Sequence, residues 1–419
     1  MTNWLTETVS RGIDASDWLA ENRRQSLLKL QDRTWPTRKT EAWRYVPLGT
    51  LERLQPAVAS SAGYSAEAIP DLTTLDLVFV NGELLSLPDN LPAGVTIEPL
   101  AEVSSRQQAW AESVFNAAKP DRHLFGLAND VLAKAGVVIA VAEGVQLAEP
   151  IRLLHWQNGG EAHSRHLVQL ADGSSATVIE QHLGDAASFN TSFAEYLIGA
   201  RAELQHYRFA LQTGAAINIG GCHFNLADHS QLRSTLVGFG SDLARLDVDI
   251  NHTGEHAEVL QNAIYLLAGK ELFDLHTNVE HMRPNGITEQ NVRGIVGDHG
   301  KAVFNGRIHI HRYAQKTLAE LNNRNLLLTR TAEVNTKPEL EIYADDVRCA
   351  HGATVAEMDD KALYYLQSRG VSEVDARIML NFGFINELIE QIELEPLAAW
   401  LQAVLKDRFA SLRQQVQGV

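Results

Sequence analysis

The chain has very little cysteine, and this scarcity argues against several kinds of protein. Only Cys222 and Cys349 occur among 419 residues, so no disulfide framework of the kind found in small secreted domains can form, and a reducing compartment is indicated. The sequence also contains no Cys-x-x-Cys, no His-Glu-x-x-His and no Gly-x-Ser-x-Gly. These absences argue against a self-contained zinc or cluster-binding loop, a zincin helix and a hydrolase nucleophile elbow.

Long apolar runs are also missing. The sequence has no stretch of about 18 apolar residues, so no transmembrane helix is predicted. Residues 1–24 also lack the continuous apolar segment of a signal peptide. The net charge is −16 and the isoelectric point is near 5.4. Such an acidic chain is unsuited to non-specific binding of nucleic acids or anionic membranes. The sequence therefore predicts a soluble, cytoplasmic protein.

The glycine motifs that bind phosphate are incomplete. The segment from Gly294 to Ala302 has the wrong glycine spacing for a P-loop, and Ala302 stands where a hydroxyl is needed to bind magnesium. The segment from Gly238 to Leu243 lacks the third glycine of a dinucleotide fingerprint. We therefore expect no ATPase site in this chain.

Residues 136–347 have the pattern of a repetitive β structure. Short runs rich in Val, Ile, Leu and Thr begin near residues 176, 203, 231 and 257, about every 27 residues. This period predicts a solenoid in which each turn contributes several short strands. A β-sandwich is an alternative, whereas the absence of helical interludes argues against a doubly wound α/β sheet.

The flanking segments are predicted to be mainly helical. Residues 1–135 contain three helical patterns and a hairpin that turns at Asn81-Gly82, with a loop anchored by tryptophans between the first helix and the hairpin. Residues 348–419 contain three more helices, of which the second begins at a capping serine, Ser372, and the last at Pro396. The predicted fold is mainly β with flanking α, in three domains: 1–135, 136–347 and 348–419.

The last two predicted helices carry apolar stripes, which have two interpretations. Such a stripe forms either part of the chain's own core or a docking face for another protein, and the end of a solenoid needs cover in both cases. The stripe residues are Leu380, Phe384 and Leu388 on one helix and Trp400, Leu401 and Leu405 on the other.

The segment Arg348-Cys-Ala-His-Gly-Ala-Thr-Val contains the most specific chemistry. In an extended strand, Cys349 and His351 lie on the same face. A thiolate beside an imidazole suits zinc, iron or an iron–sulfur cluster better than magnesium or calcium. Two ligands do not complete a site, so others must come from elsewhere, including another chain. The alternative is that Cys349 is a small buried apolar residue and His351 fills a gap.

Histidine is concentrated in the predicted solenoid, where 14 of the 16 histidines lie between His155 and His311. Arg307, His309 and His311 share one face of a strand, which we expect to be a solvated outer face. Cys222 and His223 are adjacent, so they point to opposite faces and are not expected to bind one metal together.

Three segments together resemble the SufB/SufD family of the SUF iron–sulfur cluster assembly machinery. They are Trp-Pro-Thr-Arg-Lys-Thr-Glu-Ala-Trp-Arg-Tyr (35–45), Phe-Val-Asn-Gly (79–82), and the Cys-x-His-Gly-Ala-Thr block (349–354) followed by Tyr-Tyr-Leu-Gln-Ser-Arg-Gly (364–370). The lack of cysteine before Cys222 favours the SufD type. The resemblance implies a right-handed parallel β-helix between helical N- and C-terminal domains.

The resemblance also implies a function and partners. The chain would be a non-ATPase scaffold subunit that pairs with a SufB-type subunit at the end of the β-helix. Its C-terminal helices, with the six stripe residues, would dock a SufC-type ABC ATPase. Cys349 and His351 would be metal ligands in a transient iron–sulfur cluster shared with SufB, and no catalytic residue is implied. Participation of a reduced flavin, and homodimerisation of the isolated chain, stay open.

Two rival functions remain at this point. A polysaccharide-active enzyme on a parallel β-helix is one, although such enzymes are typically exported; a purely structural subunit without metal ligation is the other.

Removal of Pro396–Val419 is expected to abolish ATPase binding and to leave the β-helix folded.

Overall fold

The N-terminal segment combines short helices with three strands. The computed structural model describes residues 4–11, 17–61, 64 and 67–416. The elements before the solenoid are α1 (Trp4–Arg11), α2 (Ala20–Gln31), α3 (Gly49–Arg53), β1 (Leu75–Val80), β2 (Glu83–Ser86), β3 (Val95–Pro99), α4 (Ser105–Val114) and α5 (Leu124–Leu132). The predicted hairpin is confirmed: Asn81 and Gly82, at φ 51° and 83°, connect β1 to β2 in the left-handed conformation that a two-residue turn requires.

Sixteen strands then wind into two long sheets. They are β4 (Ala135–Val141), β5 (Ile151–Trp156), β6 (Glu161–Leu170), β7 (Ser175–Leu183), β8 (Ser188–Ile198), β9 (Glu203–Ala210), β10 (Ala216–Leu226), β11 (Gln231–Gly238), β12 (Leu243–His252), β13 (Glu258–Leu267), β14 (Leu272–His281), β15 (Ile287–Val296), β16 (Lys301–Ile310), β17 (Leu318–Leu327), β18 (Glu333–Ile342) and β19 (Arg348–Glu357). From β5 onward the odd strands form sheet A and from β4 onward the even strands form sheet B, and each strand pairs in parallel with the next strand of its own sheet. The predicted parallel β-solenoid is confirmed, with about eight turns.

The repeat read from the sequence matches the turns of the solenoid. Strands β7, β9, β11 and β13 of sheet A begin at residues 175, 203, 231 and 258, so successive turns differ by 28, 28 and 27 residues. The register carries each residue onto the equivalent residue of the next turn. Equivalent side chains therefore stack in columns along the solenoid.

The two ends of the solenoid are built differently. At the first end, the hairpin strand β1 pairs with β5, and β3 runs antiparallel to β4. At the other end, β18 and β19 are the outermost strands of sheets B and A. Within the described residues, each has a strand partner on one side only. The strands of the solenoid thus include Arg348–Glu357, whereas the solenoid predicted from the sequence ends at residue 347.

The three C-terminal helices begin and end where the sequence indicates. They are α6 (Asp360–Ser368), α7 (Glu373–Ile389) and α8 (Glu395–Val416). The Asp359 carboxylate accepts a hydrogen bond from the Lys361 amide, and the Ser372 hydroxyl accepts one from the Asp375 amide. Gly370, at φ 88°, ends the first of these helices in the conformation that favours glycine.

The helices cover the outer faces of the sheets, so most strands are buried on both sides. Helices α7 and α8 pack on the outer face of sheet A, whereas α5 and the aromatic loop before α3 pack on the outer face of sheet B. The loop is anchored as predicted: Trp43 is buried, and the Arg245 guanidinium carbon lies 4.1 Å from its ring centroid. Among the described helices, none is both long and apolar enough to cross a lipid bilayer.

Candidate functional site

Cys349 and His351 lie on the terminal strand of sheet A. Cys349 pairs in register with Ala319 and His351 with Leu321, both on β17. Ala319 and Leu321 are buried in the core inside the solenoid. Because paired residues in a parallel ladder share a face, Cys349 and His351 lie on the interior side of the last turn, where no further turn formed by the described residues covers them.

The two residues differ in exposure. Cys349 is half-buried and packs against the interior core, whereas His351 is exposed. Burial raises the pKa of the Cys349 thiol above its ordinary value, and a backbone hydrogen bond with Ala319 opposes this shift. Because a metal binds the thiolate, metal binding here releases a proton.

The pair does not form a complete metal site. Among the described residues, three groups of His, Cys, Asp or Glu bring three ligand atoms within 4.8 Å of one another, and neither Cys349 nor His351 belongs to any of them. A metal bound by these two residues would therefore have coordination positions left for other ligands.

Cys222 and His223 point to opposite sides of β10, as predicted. The Cys222 sulfur lies inside the solenoid, 3.4 Å from Arg208 Nη1 and 3.6 Å from Glu180 Oε1. His223 Nδ1 lies on the outer side, 2.8 Å from Asp249 Oδ2. The two residues therefore belong to separate clusters. The sequence alone could not identify the other residues of each cluster, because those residues lie on different strands of the solenoid.

The interior cluster around Cys222 is held together by hydrogen bonds to Glu180. Glu180 accepts from Tyr196 Oη at 2.7 Å and from Arg208 Nη1 at 2.7 Å, and lies 3.0 Å from His206 Nε2. Burial raises the pKa of the Cys222 thiol strongly, so the sulfur stays protonated. A buried guanidinium occupies the space that a cation would need, so we assign this cluster to structure.

A second cluster joins the N-terminal segment to the outer face of sheet B. His123, at the N-terminus of α5, places Nε2 2.7 Å from Asp249 Oδ2, and His223 shares the same oxygen. Burial lowers the pKa of His123 to about 3, so its imidazole is neutral. This cluster borders a groove of about 450 Å³ that is lined by charged, polar and apolar side chains, among them Arg245, Asp247 and Lys337.

Arg307, His309 and His311 lie on the outer face of sheet B, as predicted, but they are not simply solvated. They surround Glu280 of the neighbouring strand β14. The three residues were visible in the sequence by their alternation. Glu280 could not be found in this way, because its contact with His309 depends on the register between two strands, in which paired residues are 29 positions apart in sequence.

The six apolar stripe residues of the C-terminal helices fall into two sets. Leu388, Leu401 and Leu405 are fully buried against the outer face of sheet A. Leu380, Phe384 and Trp400 are half-buried, and the Trp400 ring lies 5.4 Å from that of Phe209 on β9. The stripe is therefore largely the contact between these helices and the solenoid of the same chain.

Different apolar side chains of the same helices face solvent. On α6, Tyr364 and Tyr365 are 73% and 57% exposed, and on α7, which packs against α6, Met379 and Val374 are 54% and 43% exposed. Tyr364 and Tyr365 belong to a segment that resembles the SufB/SufD family, but the exposure of these four side chains was not predicted from the sequence. Large exposed apolar side chains on two neighbouring helices are candidates for contact with another protein.

Comparison with known proteins agrees with this architecture. Residues 8–153 match the family described as "SufBD protein N-terminal region", and residues 154–384 match "SUF system FeS cluster assembly, SufBD core domain". The iron–sulfur cluster assembly protein SufD of Escherichia coli is 34% identical over 92% of each chain, and that of Bacillus subtilis is 23% identical over 93% of each. An iron–sulfur cluster assembly SufBD family protein of Synechocystis is 27% identical over 89% of this chain and 87% of its own. The chain therefore belongs to the SufBD family of iron–sulfur cluster assembly proteins.

Proposed function

We propose that this chain is a non-catalytic scaffold subunit that contributes Cys349 and His351 to the ligands on which an iron–sulfur cluster is assembled. The observation that supports this proposal most directly is the position of the pair on the interior side of β19, the outermost strand of sheet A in the described part of the chain. A thiolate and an imidazole hold iron, and coordination positions left open accept sulfide and further ligands. An incomplete ligand set also permits release of the finished cluster.

The remaining ligands are proposed to come from a related SufB-type subunit at this end of the solenoid. Strands β18 and β19 present unpaired backbone groups, which favour addition of strands from another chain. Apolar side chains near this end are exposed, among them Ile342, Tyr343 and Val355. A second solenoid docked here would cover these side chains and enclose Cys349 and His351. Without the sister subunit, the same strands can pair with a second copy of this chain.

A SufC-type ABC ATPase is proposed to bind the exposed face of α6 and α7. The surface formed by Tyr364, Tyr365, Val374 and Met379 carries this proposal. The buried stripe residues Leu388, Leu401 and Leu405 would act indirectly, by fixing α7 and α8 to sheet A. The half-buried Leu380, Phe384 and Trp400 are proposed to contribute their exposed parts to partner binding. The ATPase could thereby transmit a movement to the solenoid through helices that are packed on it.

The ligand assignment is tested with the assembled complex. The chain is co-expressed with its SufB-type and SufC-type partners, and iron and sulfide are measured after reconstitution of the wild type, Cys349→Ala and His351→Ala. We expect each variant to assemble normally and to lose most of the cluster yield. Thr354→Ala, an exposed residue of the same strand, is the matched control. An unchanged yield in both variants would support the purely structural alternative, and the absorption spectrum of the same complex reports whether a flavin is bound.

ATPase docking is tested by pull-down with Tyr364→Ala and with Met379→Ser. Both side chains are exposed, so the variants should fold normally and retain less ATPase. Tyr313→Ala is the matched control because Tyr313 is 77% exposed but lies before β17, outside the proposed surface. Retention that is the same for all three variants would contradict this docking surface.

A further inference from the structure

A second set of potential metal ligands lies on the outer face of sheet B. Glu280 on β14 and His309 on β16 are paired in register. His311 comes directly after β16, two residues beyond His309 and on the same side as it. This position differs from that of Cys349 and His351, which lie on the interior side of sheet A. The proposed assembly function does not use Glu280, His309 or His311.

The three ligand atoms are close enough to share one ion. His311 Nε2 lies 2.7 Å and His309 Nδ1 3.6 Å from Glu280 Oε2, and all three atoms lie within 4.8 Å of one another. Ligand atoms at about 2.1 Å from a tetrahedral metal ion are separated by about 3.4 Å. Small side-chain rotations would therefore suffice to place all three at bonding distance.

The backbone holds these residues in place, and solvent can reach them. The two imidazole rings stack at 4.3 Å between centroids, and Glu280 and His309 are fixed by the ladder between β14 and β16. A cavity lined by His309, His311, Arg312 and Tyr343 opens beside the rings. An ion could enter from solvent and keep a coordination position for water.

We propose that Glu280, His309 and His311 form a binding site for a divalent first-row transition metal of the zinc and ferrous iron class. Two imidazoles and one carboxylate are the donor set that such ions prefer, whereas magnesium and calcium prefer oxygen ligands alone. His309 Nδ1 and His311 Nε2 both face Glu280 Oε2, so each imidazole directs a ring nitrogen towards the same position.

Arg307 competes with the metal for the same groups. Its Nη1 donates to Glu280 Oε1 at 2.6 Å, and its Nη2 also contacts His309 Nδ1. The same guanidinium binds Glu341 through Nε at 2.9 Å and Nη2 at 2.8 Å. When a metal binds, Arg307 can keep Glu341 and release Glu280. The site should therefore bind metal more tightly when Arg307 is replaced by a neutral residue.

The test uses the tag-free full chain with Cys349→Ala and His351→Ala, so that the proposed cluster ligands do not contribute. Zn²⁺ binding is measured by calorimetry, Co²⁺ binding by its visible absorption, and Fe²⁺ binding by anaerobic dialysis. We expect one ion per chain, a loss of affinity of more than about tenfold in His309→Ala, His311→Ala and Glu280→Gln, and a gain in Arg307→Gln. Thermal melting of each variant checks that it is folded.

The matched control is a second stacked pair of histidines. His229 and His256 are exposed, with ring centroids 4.7 Å apart, and among the described residues they belong to no group of three ligands. Replacing both with alanine should leave binding unchanged. The proposal is overturned if the parent chain binds no ion, if the three ligand variants bind as the parent does, or if the control variant loses the ion. None of these outcomes bears on Cys349 and His351.

Discussion

Arg208 and Glu180 form an ion pair inside the solenoid, with Nη1 2.7 Å from Oε2 and neither side chain in contact with solvent. Burial alone would raise the pKa of Glu180, but the charge of Arg208, the nearby His182 and the hydrogen bond with His206 lower it well below its ordinary value. Both groups are therefore charged although they are buried inside the solenoid. Each depends on the other, because an unpaired charge at this position would have no access to water.

Replacing only one member of this pair should destabilise the chain strongly. We expect Arg208→Met to lower the free energy of unfolding by about 3–5 kcal/mol, since it leaves Glu180 buried without a counter-ion. The double variant with Glu180→Gln should recover part of the loss. Urea denaturation measures both, and Arg24→Met, which breaks the exposed pair with Glu21, is the control with an expected change below about 0.5 kcal/mol. Equal losses in Arg208→Met and in the control would show that the buried pair has no special role.

Mild acid should destabilise the folded chain because of its buried histidines. Burial lowers the pKa of His166 and His252 to about 3 and that of His182 to about 4, whereas in the unfolded chain imidazoles titrate near pH 6.5. Below pH 6.5 the unfolded chain takes up protons that the folded chain does not. The free energy of unfolding therefore decreases as the pH is lowered below 6.5. The decrease is about 1.4 kcal/mol per pH unit for each such histidine, until the pH reaches the folded-state pKa.

Urea midpoints between about pH 7.5 and about pH 5.5 measure this effect. His252→Gln removes one of the titrating groups and should reduce the slope below pH 6.5 by about 1.4 kcal/mol per pH unit. The exposed His299 provides the control, since His299→Gln should leave the slope as in the wild type. Midpoints that do not change over this range would contradict the burial of neutral histidines.

The two cysteines should differ in their reactivity towards iodoacetamide. Cys222 is buried, and Cys349 is half-buried at the end of the solenoid. Burial raises the pKa of both thiols, and because the thiolate is the nucleophile, alkylation of Cys349 should accelerate as the pH rises. Peptide mass spectrometry should find Cys349 modified in the native chain, and both cysteines modified after denaturation in guanidinium. Modification of Cys222 at a similar rate in the native chain would contradict its enclosure.

Local patterns in the sequence predicted the features that depend on neighbouring residues. The repeat of about 27 residues predicted the solenoid, the Asn81-Gly82 turn and the Ser372 cap are as expected, and alternation correctly separated Cys222 from His223. These predictions succeeded because backbone geometry and side-chain alternation are fixed within a few residues.

Contacts between turns could not be predicted in the same way. Glu280 meets His309 only because β14 and β16 pair in one particular register, and a shift of one residue would turn each side chain to the other face. The apolar stripe on the C-terminal helices had a related ambiguity. An amphipathic helix has the same pattern whether its apolar face meets its own chain or a partner, so only the structure could assign Leu401 to the core.

The C-terminal helices should therefore respond very differently to substitutions on their two faces. Leu401 is fully buried against sheet A, whereas Tyr364 is 73% exposed. We expect Leu401→Ala to lower the free energy of unfolding by about 2–5 kcal/mol through lost burial and a cavity, and Tyr364→Ala to change it by less than about 0.5 kcal/mol.

Removal of Pro396–Val419 would uncover the apolar face of sheet A that Leu397, Leu401, Leu405 and Phe409 cover, so it should promote aggregation and cannot test docking alone. Urea denaturation and light scattering of the three variants check this, and a truncated chain that is as stable and as free of aggregates as the full chain would show that α8 is dispensable for the solenoid.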